Sequence, residues 1–574
     1  MDTLLAFFQK RLTRAIHKAF EETSEADVAP CGQEGFGHYQ CNSPLRLAKV
    51  LKQNPRAVAT ALIDALEPAD RAACAHIEIA GPGFINFTLS PTFLSAELQK
   101  QLNDPHLGAS IPGKRQRIIV EFSSPNVAKE LHVGHIRSTI IGDCLARLFE
   151  FLGQDVLRLN HIGDWGTQFG MLIAYMADEQ VSGDADLHTL MTWYKAAKKR
   201  FDAEPEFKKR AQLEVVRLQS GDPESLKIWR SICDISRRGF QEIYNLLNVT
   251  ITERGESFYN PQLKAVVEEL QHKNLITVSD GAKCLFLDGF VNREGQPLPL
   301  MVQKSDGGYN YDTTDLAAIR HRILVEKADR IIAITDLGQQ LHFHMIFAAA
   351  EKAGWLDPTK VRVDHVGFGL VLGSDGKKFK TRSGETEKLI DLLTEAVDHA
   401  RAIVLEKTPN APPQEVEHLA HVLGIGAVKY SDLASLRTKD YTFSYERMLR
   451  FEGNTAVFLL YSYVRIQGIK RKVGADIQRV LQEHTIQLQH PSEISLGLHL
   501  RRFPEILEAV ARDLLPNRLT DYLYELAEKF NAFFRDCRVE GSPEEGSRLV
   551  LCELTSRILK QGLEILGLET VDRM

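Results

Sequence analysis

Residues 118–170 constrain the fold more than any other segment of the sequence. A short run of β-branched and aromatic residues, Ile118 to Phe122, ends in a Ser-Ser-Pro-Asn turn, and apolar residues then recur at helical spacing up to Phe149. This pattern predicts a buried strand, a loop and an amphipathic helix. In an open parallel sheet, ligands bind beyond the carboxyl ends of the strands, where the first turn of a helix offers N–H groups to phosphate. The segment therefore predicts a nucleotide-binding crevice.

The predicted helix is preceded by the tetrapeptide His132-Val133-Gly134-His135. Histidines three residues apart can face the same crevice and donate hydrogen bonds to phosphoryl oxygens. Gly134 leaves no side chain in the way of an adenine or ribose ring. Taken alone, however, the tetrapeptide is more typical of a capped helix start with two surface histidines.

Composition bounds the class of protein. A chain of 574 residues is too long for one core, and a length of this order indicates about four domains. We find no run of about 18 apolar residues and therefore expect no transmembrane helix. The cationic amino terminus lacks a cleavage site and is interpreted as the first helix. The eight cysteines form no Cys-x-x-Cys pair, which argues against structural zinc and for a reducing cytoplasm.

The segment around the histidines resembles the first signature of the class I aminoacyl-tRNA synthetases, and specifically of the arginyl-tRNA synthetases. The resemblance is carried by EFSSPNVAKEL before HVGH, by IRSTIIGD after it and by GDWGTQFG further on, and it extends through the whole chain. It implies an enzyme that forms an arginyl-adenylate from arginine and ATP. The arginyl group would then pass to the 2′-hydroxyl of the terminal adenosine of tRNA(Arg).

A second loop, GSDGKKFKTRSGETEK at residues 373–388, is similar to the Lys-Met-Ser-Lys-Ser signature of the same class. Lys378 matches the first lysine, whereas Thr381 stands where the second belongs, with Lys380 and Arg382 beside it. Such a loop of cations and glycines is ordinarily a solvated turn. Its position after HVGFGLVL favours the functional interpretation.

The resemblance implies which residues surround ATP, which would enter as its magnesium complex without a protein-bound metal. The catalytic residues would be Lys129, His132, His135, Lys378 and Lys380. The ATP-binding residues would be His132, Gly134, His135, Gly367, Phe368 and Lys378.

The resemblance also implies an arginine pocket. Tyr311 and Asp315 lie four residues apart in GGYNYDTTDLAAIRHRI, and the family places a tyrosine and an aspartate at this spacing, with the aspartate against the guanidinium. A carboxylate matches the planar fork of donors of that group. Alternatively, Asp312 would be the helix N-cap and Asp315 its acidic third residue. Further implied arginine-binding residues are Glu121, Asn126, which is also a typical turn residue, and Gln339, with Gln340 as the adjacent alternative.

Two regions resemble tRNA-binding domains of the family. In GPGFINFTL, Phe84 and Asn86 match positions that present an aromatic ring and an amide to a base of the D-loop. Strand alternation would place Phe84 and Asn86 on one face and Ile85 and Phe87 on the other, although phenylalanines in a strand are usually core. In the helical carboxyl-terminal region most apolar stripes are bundle core. Tyr461 and Arg465 share a face there and by resemblance would meet the anticodon loop.

We therefore predict an α/β multidomain chain with a doubly wound, Rossmann-like catalytic domain. The predicted regions are an α+β tRNA-binding domain at 1–112, the first catalytic half at 113–180, a mostly helical insertion at 181–294, the second catalytic half at 295–400 and an α-helical anticodon-binding bundle at 401–574. The Lys-Lys-Arg runs of the insertion, at 198–200 and 208–210, are most simply solvated helix faces, with contact to the acceptor stem as the alternative.

The predicted function is ATP-dependent ligation of arginine to tRNA(Arg) by a cytoplasmic monomer that does not contact a membrane. One alternative is an enzyme that adenylates a small molecule without tRNA. The extra amino-terminal domain and the long helical carboxyl-terminal region argue against it. The other alternative is a non-catalytic RNA-binding homologue, against which the intact HVGH, Tyr311 and Asp315 argue.

Overall fold

The computed structural model describes residues 1–32, 35–181, 185–292, 294–373, 375–377, 388–474 and 476–574. The chain forms two compact units. The first consists of Met1–Gly113, Arg450–Glu564 and Glu569–Met574, and the second of Lys114–Leu449 and Ile565–Leu568. No helix within the described ranges carries an apolar stretch long enough to cross a bilayer.

Helices cover an antiparallel sheet in the amino-terminal part of the first unit. Helices α1 to α5 span Leu4–Phe20, Ser43–Leu51, Pro55–Ala65, Pro68–Ala72 and Pro91–Asn103. Strands β1 to β4 span Val28–Pro30, Tyr39–Cys41, Cys74–Ala80 and Phe84–Leu89. They lie in the order β1-β2-β4-β3 with antiparallel neighbours.

Local sequence sets the starts of several of these helices. The side chains of Thr3, Asn54 and Ser90 each accept a hydrogen bond from an N–H of the first turn of α1, α3 and α5. Pro55 and Pro91 begin α3 and α5, where an N–H would have no partner within the helix.

A parallel sheet forms the centre of the second unit. Its strands β5, β6, β7, β11 and β12 span Arg117–Glu121, Asp155–Asn160, Thr252–Glu253, Arg330–Asp336 and Arg362–Phe368. Further strands of this unit lie outside the parallel sheet. These strands, β8, β9, β10, β13 and β14, span Thr277–Ser279, Ala282–Val291, Pro297–Gln303, Val371–Leu372 and Tyr441–Thr442. The helices α6 to α16 span Val133–Phe151, Gln168–Asp178, Leu187–Ala203, Pro205–Gln219, Pro223–Leu246, Asn260–His272, Tyr311–Leu324, Gln340–Lys352, Leu389–Lys407, Pro413–Ala434 and Tyr445–Met448. Single 3-10 turns occupy Glu256–Tyr259 and Leu337–Gln339.

The strand order β12-β11-β5-β6-β7 confirms the predicted doubly wound fold class. All neighbouring strands of this sheet are parallel. The chain runs outward from β5 to β6 and β7, then continues on the other side of β5 with β11 and β12. The strand order therefore reverses between β5 and β11, which is where open α/β sheets bind ligands.

Two features of the second unit do not follow from the sequence pattern. Strand β7 follows the helical segment α8 to α10 and adds an edge to the parallel sheet, and β8 to β10 form a separate antiparallel sheet. Helices α14 and α15 also belong to this unit, which continues to Leu449, whereas the sequence predicts a domain boundary between residues 400 and 401. Helical periodicity does not indicate which surface a helix packs against.

The loop between β5 and α6 contains left-handed residues that are not glycine. Ser123, Ser124 and Ala128 have φ angles of 67°, 48° and 60°, a conformation that costs about 1 kcal/mol or more for each. Each of their N–H groups donates to a side-chain oxygen: that of Ser123 to Ser138 at 2.9 Å, that of Ser124 to Asn160 at 2.9 Å and that of Ala128 to Ser236 at 3.0 Å. Groups from α6, β6 and α10 thus hold the loop.

Helix α6 is buried on nearly all sides. Its Arg137 donates to the carbonyl oxygens of Gly369 at 3.0 Å and Lys439 at 2.9 Å, and its Nε lies 3.2 Å from Oδ2 of Asp432. Gly142 of the same helix packs directly under Phe122, the residue that follows β5. The helix is therefore fixed against both the sheet and α15.

Helices form the carboxyl-terminal part of the first unit. Helices α17 to α22 span Ala456–Val473, Ile477–Glu483, Pro491–Arg501, Phe503–Asp513, Asn517–Asp536 and Glu545–Ile565. Several hydrogen bonds join this part to the amino-terminal part of the same unit. Gln101 donates to the carbonyl oxygen of Leu500 at 3.0 Å, and the hydroxyl of Tyr39 donates to Glu505 at 2.7 Å.

We expect Gly142→Ala to destabilise the protein although alanine is the better helix former. A Cβ atom at residue 142 would lie 2.1 Å from Cγ and 2.3 Å from Cβ of Phe122. Because the close atoms are at the base of the Phe122 side chain, we expect overpacking to cost about 2 to 3 kcal/mol, which exceeds the helix-propensity gain of about 1 kcal/mol. The midpoint of thermal unfolding should fall by roughly 2 to 8 °C.

Gly468→Ala is the matched control, because the nearest side-chain atom to its Cβ would be Nη2 of Arg471 at 3.9 Å. This variant should keep or raise the midpoint. A raised midpoint for Gly142→Ala would show that Phe122 moves aside without cost, contrary to our expectation.

Candidate active site

The two histidines close the first turn of α6. Nδ1 of His132 accepts a hydrogen bond from the N–H of Gly134 at 3.0 Å, and Nδ1 of His135 accepts one from the N–H of His132 at 3.1 Å. The ring centroids lie 4.1 Å apart. A neutral imidazole that accepts at Nδ1 carries its proton on Nε2. Both rings therefore keep an N–H donor while they cap the helix.

The surroundings of the two rings keep them neutral at physiological pH. Burial, and then the charge of Lys129, lowers the pKa of His132. Burial, and then His132, lowers the pKa of His135 to about 3. The helix-cap interpretation and the phosphate-donor interpretation are consequently compatible.

Lys129 lies in the loop between β5 and α6, three residues before His132, and its side chain is exposed. Its charge lowers the pKa of both histidines, so its ammonium group shares their surroundings. The predicted partners Lys378 and Lys380, like Thr381 and Arg382, lie outside the described residues.

Lys388, at the end of the second signature segment, contacts the loop that precedes α6. Its Nζ atom lies 2.9 Å from Oε1 of Glu130, and its backbone pairs with His132. The N–H of Leu389 donates to the carbonyl oxygen of Leu131 at 2.9 Å. The carboxyl-terminal end of the second signature segment is therefore attached to the loop that contains Lys129.

Gly367 and Phe368 end strand β12. A Cβ atom at residue 367 would lie 2.6 Å from Cδ2 of Leu337, so the glycine allows the 3-10 turn after β11 to approach. The ring of Phe368 is buried, with the Arg137 guanidinium carbon 6.0 Å from its centroid. Any contact of Phe368 with a nucleotide would have to come from its backbone.

Tyr311 and Asp315 occupy the first and second turns of α12. Tyr311 is 62% exposed, and its ring centroid lies 5.2 Å from that of His342. The alternative in which Asp312 caps this helix is wrong, because the helix begins at Tyr311 with Asn310 as its N-cap. The carboxylate of Asp312 instead accepts a hydrogen bond from the N–H of Met301 at 3.1 Å.

A series of charged contacts links Asp315 to Glu121. Oε2 of Glu121 accepts a hydrogen bond from Nη1 of Arg322 at 2.5 Å, and Nη2 of Arg322 lies 3.5 Å from Nδ1 of His161. Nε2 of His161 lies 3.7 Å from Oδ1 of Asp315, whose Oδ2 lies 2.6 Å from Nε2 of His342. Glu121 is thus already paired, whereas Asp315 is held by histidines.

Glu256 lies close to the predicted arginine pocket, although the sequence does not indicate it. It begins the 3-10 turn after β7, and its N–H donates to the carbonyl oxygen of Ile162 at 3.0 Å. Burial, and then the charges of Asp315 and Asp164, raises the pKa of its carboxyl group to about 8. The site therefore places acidic groups where a cation would relieve their repulsion. Only tertiary packing brings Glu256 close to Asp315, and no local motif indicates it.

Asn126 and Gln339 lie at the carboxyl ends of neighbouring parts of the sheet. Asn126 pairs with Gly163, and a Cβ atom at residue 163 would lie 2.1 Å from Oδ1 of Asn126. Gln339 is exposed at the end of the 3-10 turn that follows β11, and Gln340 begins α13. Among the described residues, no group of three or more His, Cys, Asp or Glu side chains is arranged to hold a metal ion.

The two predicted D-loop residues lie on β4 of the first unit. Ile85 and Phe87 are buried in its core, whereas Phe84 is only half-buried. Asn86 is 3% exposed, and its Oδ1 accepts a hydrogen bond from Gln40 at 2.8 Å. The amide nitrogen of Asn86 has no hydrogen-bond partner within the described part of the chain.

Tyr461 and Arg465 line a cavity of about 650 Å³ in the carboxyl-terminal part of the first unit. The guanidinium carbon of Arg465 lies 4.8 Å from the ring centroid of Tyr461 and 5.3 Å from that of Phe534. Lys472 and Arg538 also line this cavity. Exposed aromatic rings beside cations can stack unpaired bases and contact phosphates.

Three family models together match most of the chain. They are described as tRNA synthetases class I (R), catalytic domain, at residues 97–445, DALR anticodon binding domain at residues 459–574, and Arginyl tRNA synthetase N terminal domain at residues 6–89.

Similar proteins match over full length. An arginine–tRNA ligase of Protochlamydia amoebophila is 61% identical over 589 residues, and one of Chlamydia abortus is 53% identical over 574 residues, with 100% of both chains covered in each case. The crystal structure of arginyl-tRNA synthetase from Plasmodium falciparum superposes with a TM-score of 0.86 at 32% identity, again with 100% of both chains covered. These findings support the arginine-specific interpretation and not its two alternatives. The chain belongs to the arginyl-tRNA synthetase family of class I aminoacyl-tRNA synthetases.

Proposed function

We propose that the chain attaches arginine to tRNA(Arg) in two steps and that the residues described above divide this work between them. The arginine carboxylate attacks the α-phosphorus of ATP, and pyrophosphate leaves as the mixed anhydride forms. The 2′-hydroxyl of the terminal adenosine then attacks the activated carbonyl, and AMP leaves. Because both nucleophiles belong to substrates, the protein positions them and neutralises charge.

The first turn of α6 and the loop before it would bind ATP, which enters as its magnesium complex. The Nε2–H groups of His132 and His135 supply neutral donors, and Lys129 supplies a positive charge beside them. Gly134 leaves the helix backbone open to the nucleotide, together with Gly367 and the backbone of Phe368. Lys378 and Lys380 would complete the cationic surroundings of the leaving pyrophosphate.

Asp315 and Glu256 would bind the guanidinium group, with Tyr311 and Gln339 beside it. The observation that supports this assignment most directly is the cluster of acidic groups: burial, and then the charges of Asp315 and Asp164, raises the pKa of the Glu256 carboxyl group. Asn126 and the second carboxylate oxygen of Glu121 would hold the amino-acid end. A pocket that pairs a guanidinium with carboxylates rejects neutral isosteres without a separate editing site.

The first unit would bind tRNA at two places. The half-buried ring of Phe84 and the unpartnered amide nitrogen of Asn86 would meet a D-loop base, and Tyr461 with Arg465 would meet the anticodon loop. We also propose that the enzyme is a cytoplasmic monomer.

The activity is tested by charging total tRNA with each amino acid in turn, for which we expect arginine alone to be incorporated. We also expect arginine-dependent exchange between ATP and pyrophosphate to be negligible until cognate tRNA is added, as is typical of the family. Full exchange without RNA would favour adenylation of a small molecule and refute the proposal.

Arginine binding should be linked to the release of a proton. At neutral pH most Glu256 is protonated because its pKa is near 8, whereas the guanidinium group prefers the carboxylate. The KM for arginine should therefore fall by up to about tenfold per pH unit between pH 6 and 8, then level off. Glu256→Gln should remove this step and leave KM high above pH 8. A wild-type KM that stays constant over this range would contradict the assignment of Glu256.

Lys129→Ala should slow adenylate formation by on the order of a hundredfold to a thousandfold, because its charge acts on the transition state. The KM for ATP should change much less, and Lys129→Arg should retain part of the rate. Single-turnover activation with tRNA bound provides the measurement. Lys264→Ala is the control, since the side chain of Lys264 is 80% exposed on a helix and pairs with Glu268 at 3.7 Å. Near-normal activation by folded Lys129→Ala would shift the assignment to Lys380 and Arg382.

A further inference from the structure

His342 makes the shortest contact to the carboxylate of Asp315 among the described residues. Its Nε2 atom lies 2.6 Å from Oδ2 of Asp315, whereas Nε2 of His161 is 3.7 Å from Oδ1. Asp315 is 23% exposed, so burial alone does not fix the orientation of its carboxylate. An aspartate side chain has two rotatable bonds, and a single strong hydrogen bond can select one of its rotamers.

The His342 ring is itself held from its other side. It is the third residue of α13 and is 16% exposed. Its Nδ1 atom lies 3.5 Å from Oδ1 of Asp312, and Asp312 is anchored by the N–H of Met301. The ring of Tyr311 packs against it with centroids 5.2 Å apart. His342 therefore connects the start of α13 to two carboxylates in the first two turns of α12.

The direction of the hydrogen bond between His342 and Asp315 determines which lone pairs of the carboxylate remain available to a ligand. Because a carboxylate only accepts, Nε2 of His342 must donate to Oδ2 of Asp315. This leaves Oδ1 and one lone pair of Oδ2 available to a planar donor fork. A guanidinium group requires its two acceptor atoms at a fixed spacing and in one plane. An Asp315 carboxylate that could rotate would present this plane only part of the time.

We propose that His342 is a positioning residue that orients Asp315 to receive the guanidinium group of arginine. It acts through the Nε2–H to Oδ2 hydrogen bond and does not itself touch the substrate. The inference rests on the proposed role of Asp315 and predicts that specificity for arginine depends on a histidine of α13. The neighbouring charges that act on the His342 ring are Asp315 and Asp312 of α12 and Glu121 of β5.

Two amide substitutions separate orientation from packing. The amide nitrogen of His342→Gln can reach the position of Nε2, whereas that of His342→Asn ends near the position of Nδ1 and cannot reach Asp315. At saturating tRNA and ATP, we expect His342→Asn to raise the KM for arginine by about tenfold to a hundredfold, the usual effect of losing a hydrogen bond to a charged group. The KM of His342→Gln should stay within about threefold of wild type. In both variants kcat and the KM for ATP should change little.

Asp315→Asn provides the comparison that isolates the contact. It should itself raise the KM for arginine strongly, and adding His342→Asn should then raise KM by no more than about twofold, because the two residues act as one unit. His399→Asn is the control, since the half-exposed side chain of His399 contacts Glu395 at 3.7 Å and the ring of Tyr445, and the variant should leave every constant unchanged. If His342→Asn does not fold, His342→Leu fills a similar volume without a donor and replaces it in the same comparison.

Equal losses in the glutamine and asparagine variants, or a fall in kcat that matches the rise in KM, would overturn the proposal in favour of a packing role. An unchanged KM for His342→Asn alongside a raised KM for Asp315→Asn would overturn the role of His342 alone. An unchanged KM for Asp315→Asn would overturn both this inference and the proposed arginine pocket.

Discussion

The connection between β5 and α6 is the constraint on which the second unit depends. Three residues of this loop have left-handed backbone conformations, and side chains of α6, β6 and α10 each accept one of their N–H groups. The three elements thereby hold these residues in a backbone conformation that is unfavourable for residues other than glycine. The position of Lys129, the start of α6 and the neighbourhood of Asn126 all follow from this loop. Substitution of any of the three acceptor side chains would therefore alter the proposed ATP site indirectly, through this loop.

The sequence predicts most of this connection and little of the pocket beside it. A β-branched run, a turn and helical periodicity are local signals, and they correctly predict β5, α6 and the doubly wound fold class. Glu256, His161 and His342 carry no such signal, because segments far apart in the chain bring them to Asp315. The same limit explains α14 and α15, whose helical pattern is clear but whose packing against the second unit cannot be derived from periodicity.

Charge in the pocket is arranged in two ways. Glu121 is paired through Oε2 with the buried Arg322, so only its second carboxylate oxygen remains for a ligand. Asp315 and Glu256 have no arginine or lysine within ion-pair distance in the described part of the structure: Asp315 contacts His342 and His161, and burial, then the charges of Asp315 and Asp164, raises the pKa of Glu256. A cationic group would therefore bind more strongly beside Asp315 and Glu256 than beside Glu121. In the proposed pocket, discrimination against neutral analogues would follow from this difference, since only a cation would offset the cost of ionising Glu256 beside Asp315.

The helix cap formed by His132 and His135 also bears on metal chemistry. Two imidazoles three residues apart on a helix would ordinarily be an attractive bidentate site for zinc, nickel or copper ions. Here both Nδ1 lone pairs already accept backbone N–H groups, and both Nε2 atoms carry protons. A transition metal could bind only by displacing those protons or by opening the first turn of α6. The hydrogen bonds that close the first turn of α6 therefore leave neither ring a free lone pair for a metal ion.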